Sequence, residues 1–513
     1  WLMAFWPALL LARSARLPWW LRGALAGGAV PLAAVALLSQ SRGSFYSTPI
    51  VLVLVFALVP GRARTFAALA PVAAGIAAVA PAVLRVGNNL EHDRVVASTL
   101  HTAVAEMFAA ALAVGVVVAI AAALEQRGAL SAASRARLRT AVGVSAIVAL
   151  LALLGGGWAA AGDPLARLRH GWDTFKSVRG YAANGSGSRL TSGLGSNRYD
   201  FYRVALDEFL AHPLAGIGAD NYQQPYLRHG RSTETPRYPH SVELRTLTET
   251  GLIGSALALV GLAGALLAAW RASRQSPARD ALARDVAVAA MGGFAYWLAH
   301  GSFDWFFEFA GLGAPAFALL GLACALAPRE DASAARGAPP TAARARLWRL
   351  PAPFGARLWA AAAVALALLA AVALIGPWLS QREIQSAASV WTRAPRRAYA
   401  RLQDAAALNP LSDQAYLVAG SIALRYGDLS LADRRFAQAL ARSPDDAYAT
   451  LERGAIASSA GRQADAVRLL GRAAQLQPRD GITKRALELA RAGRRVSVSE
   501  LNRSILHIAQ QLR

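Results

Sequence analysis

The sequence predicts an all-α protein: a polytopic transmembrane helix bundle followed by a C-terminal helical-repeat solenoid. Three observations carry that expectation. The 513 residues are 55% apolar and 17% charged, with a mean hydropathy of +0.32, which is greasier than an ordinary soluble domain. About ten apolar runs approach the roughly 20 residues that a helix needs to cross about 30 Å of hydrocarbon. Toward the C-terminus a period of thirty-four residues sets in.

The apolar runs fall near 1–12, 18–38, 46–60, 65–84, 100–124, 140–160, 250–270, 286–300, 310–327 and 357–378. Three are short for a span, and short spans mark tilted or broken helices around a cavity. The chain opens at Trp1 with no initiator Met and no basic segment ahead of its first apolar run. The expectation is therefore a truncated first helix of a longer chain and not a signal peptide. Cys324 is the single cysteine, which excludes an intrachain disulfide and any Cys-based zinc or iron-sulfur site.

The formal charge of +23 comes almost wholly from arginine, since Lys176 and Lys484 are the only lysines. In a membrane chain such an excess is explained by loops held against anionic lipid on the cytoplasmic side, so no nucleic-acid partner is expected. The basic loops alternate: Arg13 with Arg16; Arg62 with Arg64; Arg127 to Arg139; Arg271 to Arg284; and Arg329 through Arg349. The expected division is 1–160 for N-terminal transmembrane helices, 161–249 for a large extracytoplasmic loop and 250–327 for closing transmembrane helices. A basic cytoplasmic linker at 328–356, a last span at 357–379 and extracytoplasmic repeats at 380–513 complete it.

Pro410, Pro444 and Pro478 recur every thirty-four residues, as do Ala405, Ala439 and Ala473, and Leu402, Phe436 and Leu470. Gly420 with Gly454, Leu417 with Leu451 and Gly427 with Gly461 keep the same step. Small residues where two helices cross, apolar residues where units stack and a closing proline are what a helix-turn-helix solenoid requires. Over about 395–495 the pattern resembles tetratricopeptide repeats, which bind protein partners through a concave face and carry no chemistry of their own.

The long loop 161–249 begins with a mobile connection, NGSGSRLTSGLGSN at 184–197, then a helical stretch at 198–213 that Pro213 stops. A glycine turn, LAGIGADNY, and then PHSVELRTLTETGLIG lead into the next span. Arg42 stands at the outer start of a span in SRGSF, where a planar guanidinium can reach a lipid diphosphate and donate two parallel hydrogen bonds. An arginine snorkelling from a helix end is the other reading. Arg203, among Tyr199, Phe201 and Tyr202, reads either as an anion contact or as a solvated helix face. His240 reads as a general base or as an exposed loop histidine. No histidines share metal-ligand spacing, so neither a metal nor another cofactor is expected. Glu243 and Glu249 lie six apart and do not share one helix face well. His300, Asp304 and Glu308 in HGSFDWFFEF mark an outer hairpin, with Trp305, Phe306 and Phe307 as an aromatic interface belt.

These motifs together, SRGSF before a span and HPLAGIGADNY followed about twenty residues later by HSVELRTLTETGLIG, resemble the bacterial O-antigen ligase and O-antigen polymerase superfamily over roughly residues 18–327. The resemblance implies an all-helical membrane bundle related to type C glycosyltransferases, in the bacterial cytoplasmic (inner) membrane. It implies a glycan donor on undecaprenyl diphosphate, used at an extracytoplasmic loop. Residue by residue it makes His240 catalytic and Arg42 and Arg203 donor-binding; Glu249, Asn221, His300 and Asp304 are the candidates for supporting roles beside them. The family more often has His-Asn where this chain has His240-Ser241, which weakens any role for a neighbouring amide. HGSFDWFFEF resembles a segment of the family branch that carries C-terminal repeats.

Diphosphate is a good leaving group, so positive charge where it departs supplies the main catalytic term and a metal is dispensable. A transporter would place charge within the spans, where Glu106 is the only acid, and a non-catalytic scaffold would need only one or two spans. The acceptor, whether glycan, glycolipid or protein, stays open. With it stays open the choice between ligase, repeat-unit polymerase and protein O-oligosaccharyltransferase.

Overall fold

The computed structural model describes residues 1–128, 163–177, 197–274, 277–327 and 352–511, apart from positions 93 and 233, with scattered positions between 137 and 144. Most of the expected span 140–160, of the stretch 184–197 and of the linker 328–356 lies outside them. Every described element is helical. The chain divides into two compact units, Trp1–Gln223 with Gly230–Glu330, and Gln224–His229 with Asp331–Arg513.

In the first unit, α1 (Leu2–Ala12), α2 (Trp19–Leu38), α3 (Arg42–Leu58), α4 (Arg62–Glu91) and α5 (Ala97–Gln126) precede α6 (Pro164–Lys176) and α7 (Arg198–Ala211). After the loop come α9 (Val242–Ser273), α10 (Pro277–Gly301), a 3-10 turn at Phe306–Glu308 and α11 (Ala310–Ala325). Of the ten expected spans, five described helices are long and apolar enough to cross a membrane: Trp19–Leu38, Arg62–Leu90, Ala97–Gln126, Val242–Ser273 and Val364–Val390. Leu2–Ala12, Arg42–Leu58 and Ala310–Ala325 are shorter apolar helices. Large apolar side chains such as Leu112, Val116, Leu257 and Val260 stay exposed, as surfaces solvated by lipid do.

Small residues set the closest packing. A Cβ at Gly23 would lie 2.5 Å from the Gly115 carbonyl oxygen, and one at Gly27 2.6 Å from that of Ala111, so α2 and α5 meet backbone to backbone. At one end of the helices, Glu125 of α5 pairs with Arg22 at 2.8 Å and Arg64 at 3.0 Å. There too Asp285 of α10 accepts from Ser14 Oγ at 2.6 Å and faces Arg13 at 3.7 Å. At the other end the start of α3 meets α10 through Ser44 Oγ and the Tyr296 hydroxyl, 3.0 Å apart, and Glu243 of α9 accepts from Ser302 Oγ at 2.6 Å. Arginine-rich ends thus gather opposite the ends that carry the loop.

The helix α9 breaks at Gly251, whose φ of 62° and ψ of −163° only glycine tolerates well. The break frees backbone groups, and the glycine turn takes them up. Ile217 N donates to Thr248 O at 2.9 Å and Gly218 N to Glu249 O at 3.0 Å, while Leu252 N donates to Pro213 O at 2.8 Å. A Cβ at Gly216 would lie 2.5 Å from the Glu249 carbonyl carbon, and one at Gly251 2.4 Å from that of Leu214. The two motifs separated by about twenty residues are one interlocked structure. The α7 helix ends at Ala211, two residues before the expected stop.

The second unit contains α12 (Ala352–Val390) and the helices α13 (Pro395–Leu408), α14 (Gln414–Arg425), α15 (Leu429–Leu440), α16 (Ala447–Ser459), α17 (Gln463–Leu476), α18 (Gly481–Arg491) and α19 (Val498–Gln511). The periodic positions form its core: Leu402, Phe436, Leu470, Ala405, Ala439 and Ala473 are all buried. Gly420 abuts the Phe436 ring and Gly454 abuts Leu470, where a Cβ would come within 2.7 and 2.8 Å. Gly427 and Gly461 turn the chain at φ of 74° and 76° after equivalent helices. The short helix α8 (Gln223–His229) lies mostly in this unit: Tyr226 is fully buried, Arg479 donates to the Tyr226 carbonyl at 3.0 Å, and Arg228 pairs with Asp445 at 2.9 Å.

Candidate functional site

Ser41 caps α3 by accepting from Ser44 N at 3.3 Å, which makes Arg42 the first residue of that helix. Arg198 is likewise the first residue of α7. A cation at a helix N-terminus runs against the macrodipole, so two such arginines build positive potential that an anion would relieve. Arg42 is 8% exposed. Its neighbour Gly43 lies against His300: a Cβ there would fall 2.3 Å from His300 Nε2 and 3.2 Å from Asp304 Oδ2.

From Gly43 a polar chain runs across the unit. The Ser44 hydroxyl meets that of Tyr296, which meets His300 Nδ1 at 2.9 Å; His300 Nε2 faces Asp304 at 3.8 Å, and Arg198 Nη2 donates to Asp304 Oδ2 at 3.3 Å. Burial by itself would push the Asp304 carboxyl up, but His300, Arg198, the Trp305 amide and the nearby His240 together hold it below the ordinary carboxylate value. Phe306 stacks on the His300 ring, with centroids 4.1 Å apart, and Gly301 faces Phe307, so these two aromatics pack inward where an interface belt was expected. Trp305 is 41% exposed.

His240 sits two residues ahead of α9 with a left-handed φ of 59°. Its Nδ1 lies 3.0 Å from the Tyr238 carbonyl oxygen, which can only accept, so Nδ1 carries the proton and Nε2 keeps a lone pair. Among the described residues Nε2 takes no hydrogen bond. Burial lowers the His240 pKa below 6.5; the Tyr238 bond opposes this, Arg198 adds to it, and Asp304 opposes it. The ring lies 5.1 Å from Phe201 and 6.3 Å from Trp305, and the Tyr202 hydroxyl donates to the His240 carbonyl at 3.3 Å. The result is a neutral imidazole with a basic nitrogen beside an arginine and a carboxylate.

The structure thus groups the SRGSF turn with His240, His300 and Asp304. Arg203 is engaged elsewhere: its Nε and Nη2 reach Asp200 Oδ1 at 3.2 and 2.9 Å, and its Nη1 reaches Asp207 at 2.9 Å. Asp200 in turn accepts from the Arg231 amide at 2.6 Å, so this pair ties α7 to the loop. Asn221 donates to the Ile217 carbonyl at 2.9 Å inside the glycine turn. Glu249 is buried at 5% exposure beside Arg245, 3.1 Å away, at the helix break. Sequence reading missed Arg198 and Tyr296. The signal for Arg198 was a basic residue opening a helix whose first turn also holds Asp200; Tyr296, inside an apolar run, gave none.

Fold and site together define a polytopic helical membrane protein with a histidine, a carboxylate and helix-start arginines at one end of its apolar helices. Residues 95–259 match the family model of O-antigen ligase, and the match takes in α5 to the first part of α9, including Arg203, Asn221, His240 and Glu249. The match supports a likeness to the O-antigen ligase superfamily of membrane glycosyltransferases over that stretch. No curated protein matches the chain.

Proposed function

We propose that the protein transfers a glycan from undecaprenyl diphosphate to an acceptor hydroxyl on the outer face of the bacterial inner membrane, as an O-antigen ligase-like enzyme. The observation that carries this reading is the bond from His240 Nδ1 to Tyr238, which leaves Nε2 as a base near Arg198, the arginine that begins α7. The acceptor hydroxyl gives its proton to Nε2 while its oxygen attacks the anomeric carbon. The bond from that carbon to the diphosphate oxygen breaks, and Arg42 and Arg198 take up the negative charge that develops. Asp304, kept ionised, favours the imidazolium that forms. In this reading Arg203 braces the loop through Asp200 and does not clamp the donor, and no metal takes part.

The outer-face assignment is supported by the gathering of Arg13, Arg22 and Arg64 at the helix ends opposite the site, where positive charge keeps to the cytoplasm. We read α13–α19 as a tetratricopeptide-like solenoid for a protein partner, supported by equivalent glycine contacts at Gly420 and Gly454. The bundle we take to be related to type C glycosyltransferases. Incubating the purified protein in lipid with a labelled undecaprenyl-diphosphate glycan and candidate acceptors tests the reading. Label on a distinct glycolipid marks a ligase, on a second lipid-linked glycan a polymerase, on protein an oligosaccharyltransferase. No transfer under any of these conditions would overturn it.

A further inference from the structure

A second charged group lies against Tyr238, two residues before His240, and plays no part in the chemistry above. Arg245, one turn into α9, donates through Nε to Glu249 Oε2 at 3.1 Å, pairs with Glu308, and has Asp220 within 3.9 Å. Its side chain is 19% exposed, and those of Glu249 and Glu308 are 6% and 17% exposed. Three carboxylates surround this guanidinium and offset its charge. What it does face is an aromatic ring: its Cζ lies 4.4 Å from the centroid of Tyr238. Arg237, paired with Asp220, lies 5.4 Å from the same centroid.

We propose that Arg245 is a positioning residue that fixes His240 as the Nδ1–H tautomer by holding Tyr238, whose carbonyl accepts the Nδ1 proton. The inference rests on the reading of His240 as the base. The need for a brace is visible in the backbone. A non-glycine residue at φ of 59° persists only where its surroundings over-determine it, and His240 follows Pro239, which donates no amide bond of its own. The Tyr238 ring, held from one side by Arg245 and near Arg237, anchors the turn whose carbonyl reads the imidazole. Through Asp220 the glycine turn joins the brace. The aspartate of GADNY thereby reaches the YPHS segment that carries the base.

The test reads the tautomer directly. In the intact protein in lipid, labelled with 15N-histidine and assigned by difference against His240→Gln among the eight histidines, the imidazole is expected as Nδ1–H. In Arg245→Met it should shift toward Nε2–H, which occupies the nitrogen that accepts the proton. Turnover should then fall about tenfold or more with donor KM within about twofold, since the ground-state donor contacts stay in place. Arg245→Lys, which retains charge without the flat fork, should fall between. Should Arg245→Met fail to fold, Arg245→Lys and Asp220→Asn carry the test by the same spectrum. Retention of pure Nδ1–H and wild-type kcat in the folded variants would overturn the proposal. Wild-type turnover by His240→Ala would remove the base reading alone, and the spectrum would still decide what Arg245 does.

Discussion

Gly43 and His300, 257 positions apart in the chain, are in such close approach that a single added carbon at Gly43 would lie 2.3 Å from the imidazole Nε2. This is the physical content of the glycine in SRGSF. Gly43→Ala should push His300 off Asp304 and lower transfer at least about tenfold, with a stability cost of about 1–3 kcal/mol from overpacking. Wild-type turnover by the alanine variant, measured in lipid, would show that the contact relaxes without consequence.

His240 should give transfer an acidic limb. Its pKa lies below 6.5, so the base is neutral and ready at neutral pH and is lost as pH falls through that lowered value. The rate should therefore be flat from about pH 7 upward and drop only in more acidic solution. His240→Ala should abolish turnover while leaving folded, inserted protein; a chelator should change nothing.

The two loop arginines should separate. Arg42→Lys and Arg198→Lys lose the planar fork where diphosphate charge develops and should each cost about tenfold or more, about 1.4 kcal/mol. Arg203→Lys should cost less turnover than either, because its partners are Asp200 and Asp207. A larger loss at Arg203 than at Arg198 would return the clamp to Arg203.

Gly251→Ala should loosen the glycine turn. The substitution forces a side chain into a conformation that glycine alone holds well and against Leu214, on the order of 2–3 kcal/mol. Faster protease cleavage within 212–223 is the expected readout, and unchanged cleavage would argue that the break in α9 is not what holds the loop.

Glu452 offers a pH test in the second unit. Burial pushes its carboxyl up to about 7, against hydrogen bonds from Asn502 and Tyr448. A group whose folded pKa is raised contributes stability at acid pH that is lost as pH rises through the folded value. Between about pH 5 and 8 protection of α16 amides from exchange, corrected for intrinsic rates, should fall by up to about 3 kcal/mol. Glu452→Gln should flatten that dependence.

Helical class and the placement of most elements were legible in the sequence because apolar run length reports directly on a lipid-solvated helix. The pairing of Gly420 with Phe436 and of Gly454 with Leu470 was legible too, since a large side chain met by a glycine recurs there at a fixed step. The site was legible only in part. His240 and Asp304 stood in polar segments where they drew notice, and Arg42 opened a span. Arg203 drew more weight than Arg198 because of its aromatic company, although Asp200 and Asp207 at one-turn spacing were the signal of the ion pairs that engage it. Tyr296 and the interlock of Gly216 with Gly251 depend on contacts across tens to hundreds of positions, which no local pattern encodes.

Because Gln224–His229 belongs to the second unit while the residues on either side of it belong to the first, no single cut separates the two. A chain shortened ahead of residue 331 would lose Arg479 and Asp445 and leave the Tyr226 ring without the surroundings that bury it. The loop would then carry a bare aromatic and a stranded cation fourteen and twelve positions from its histidine. Removing the C-terminal helices is therefore an operation on the loop as well, and a truncated protein that has lost activity says nothing by itself about partners.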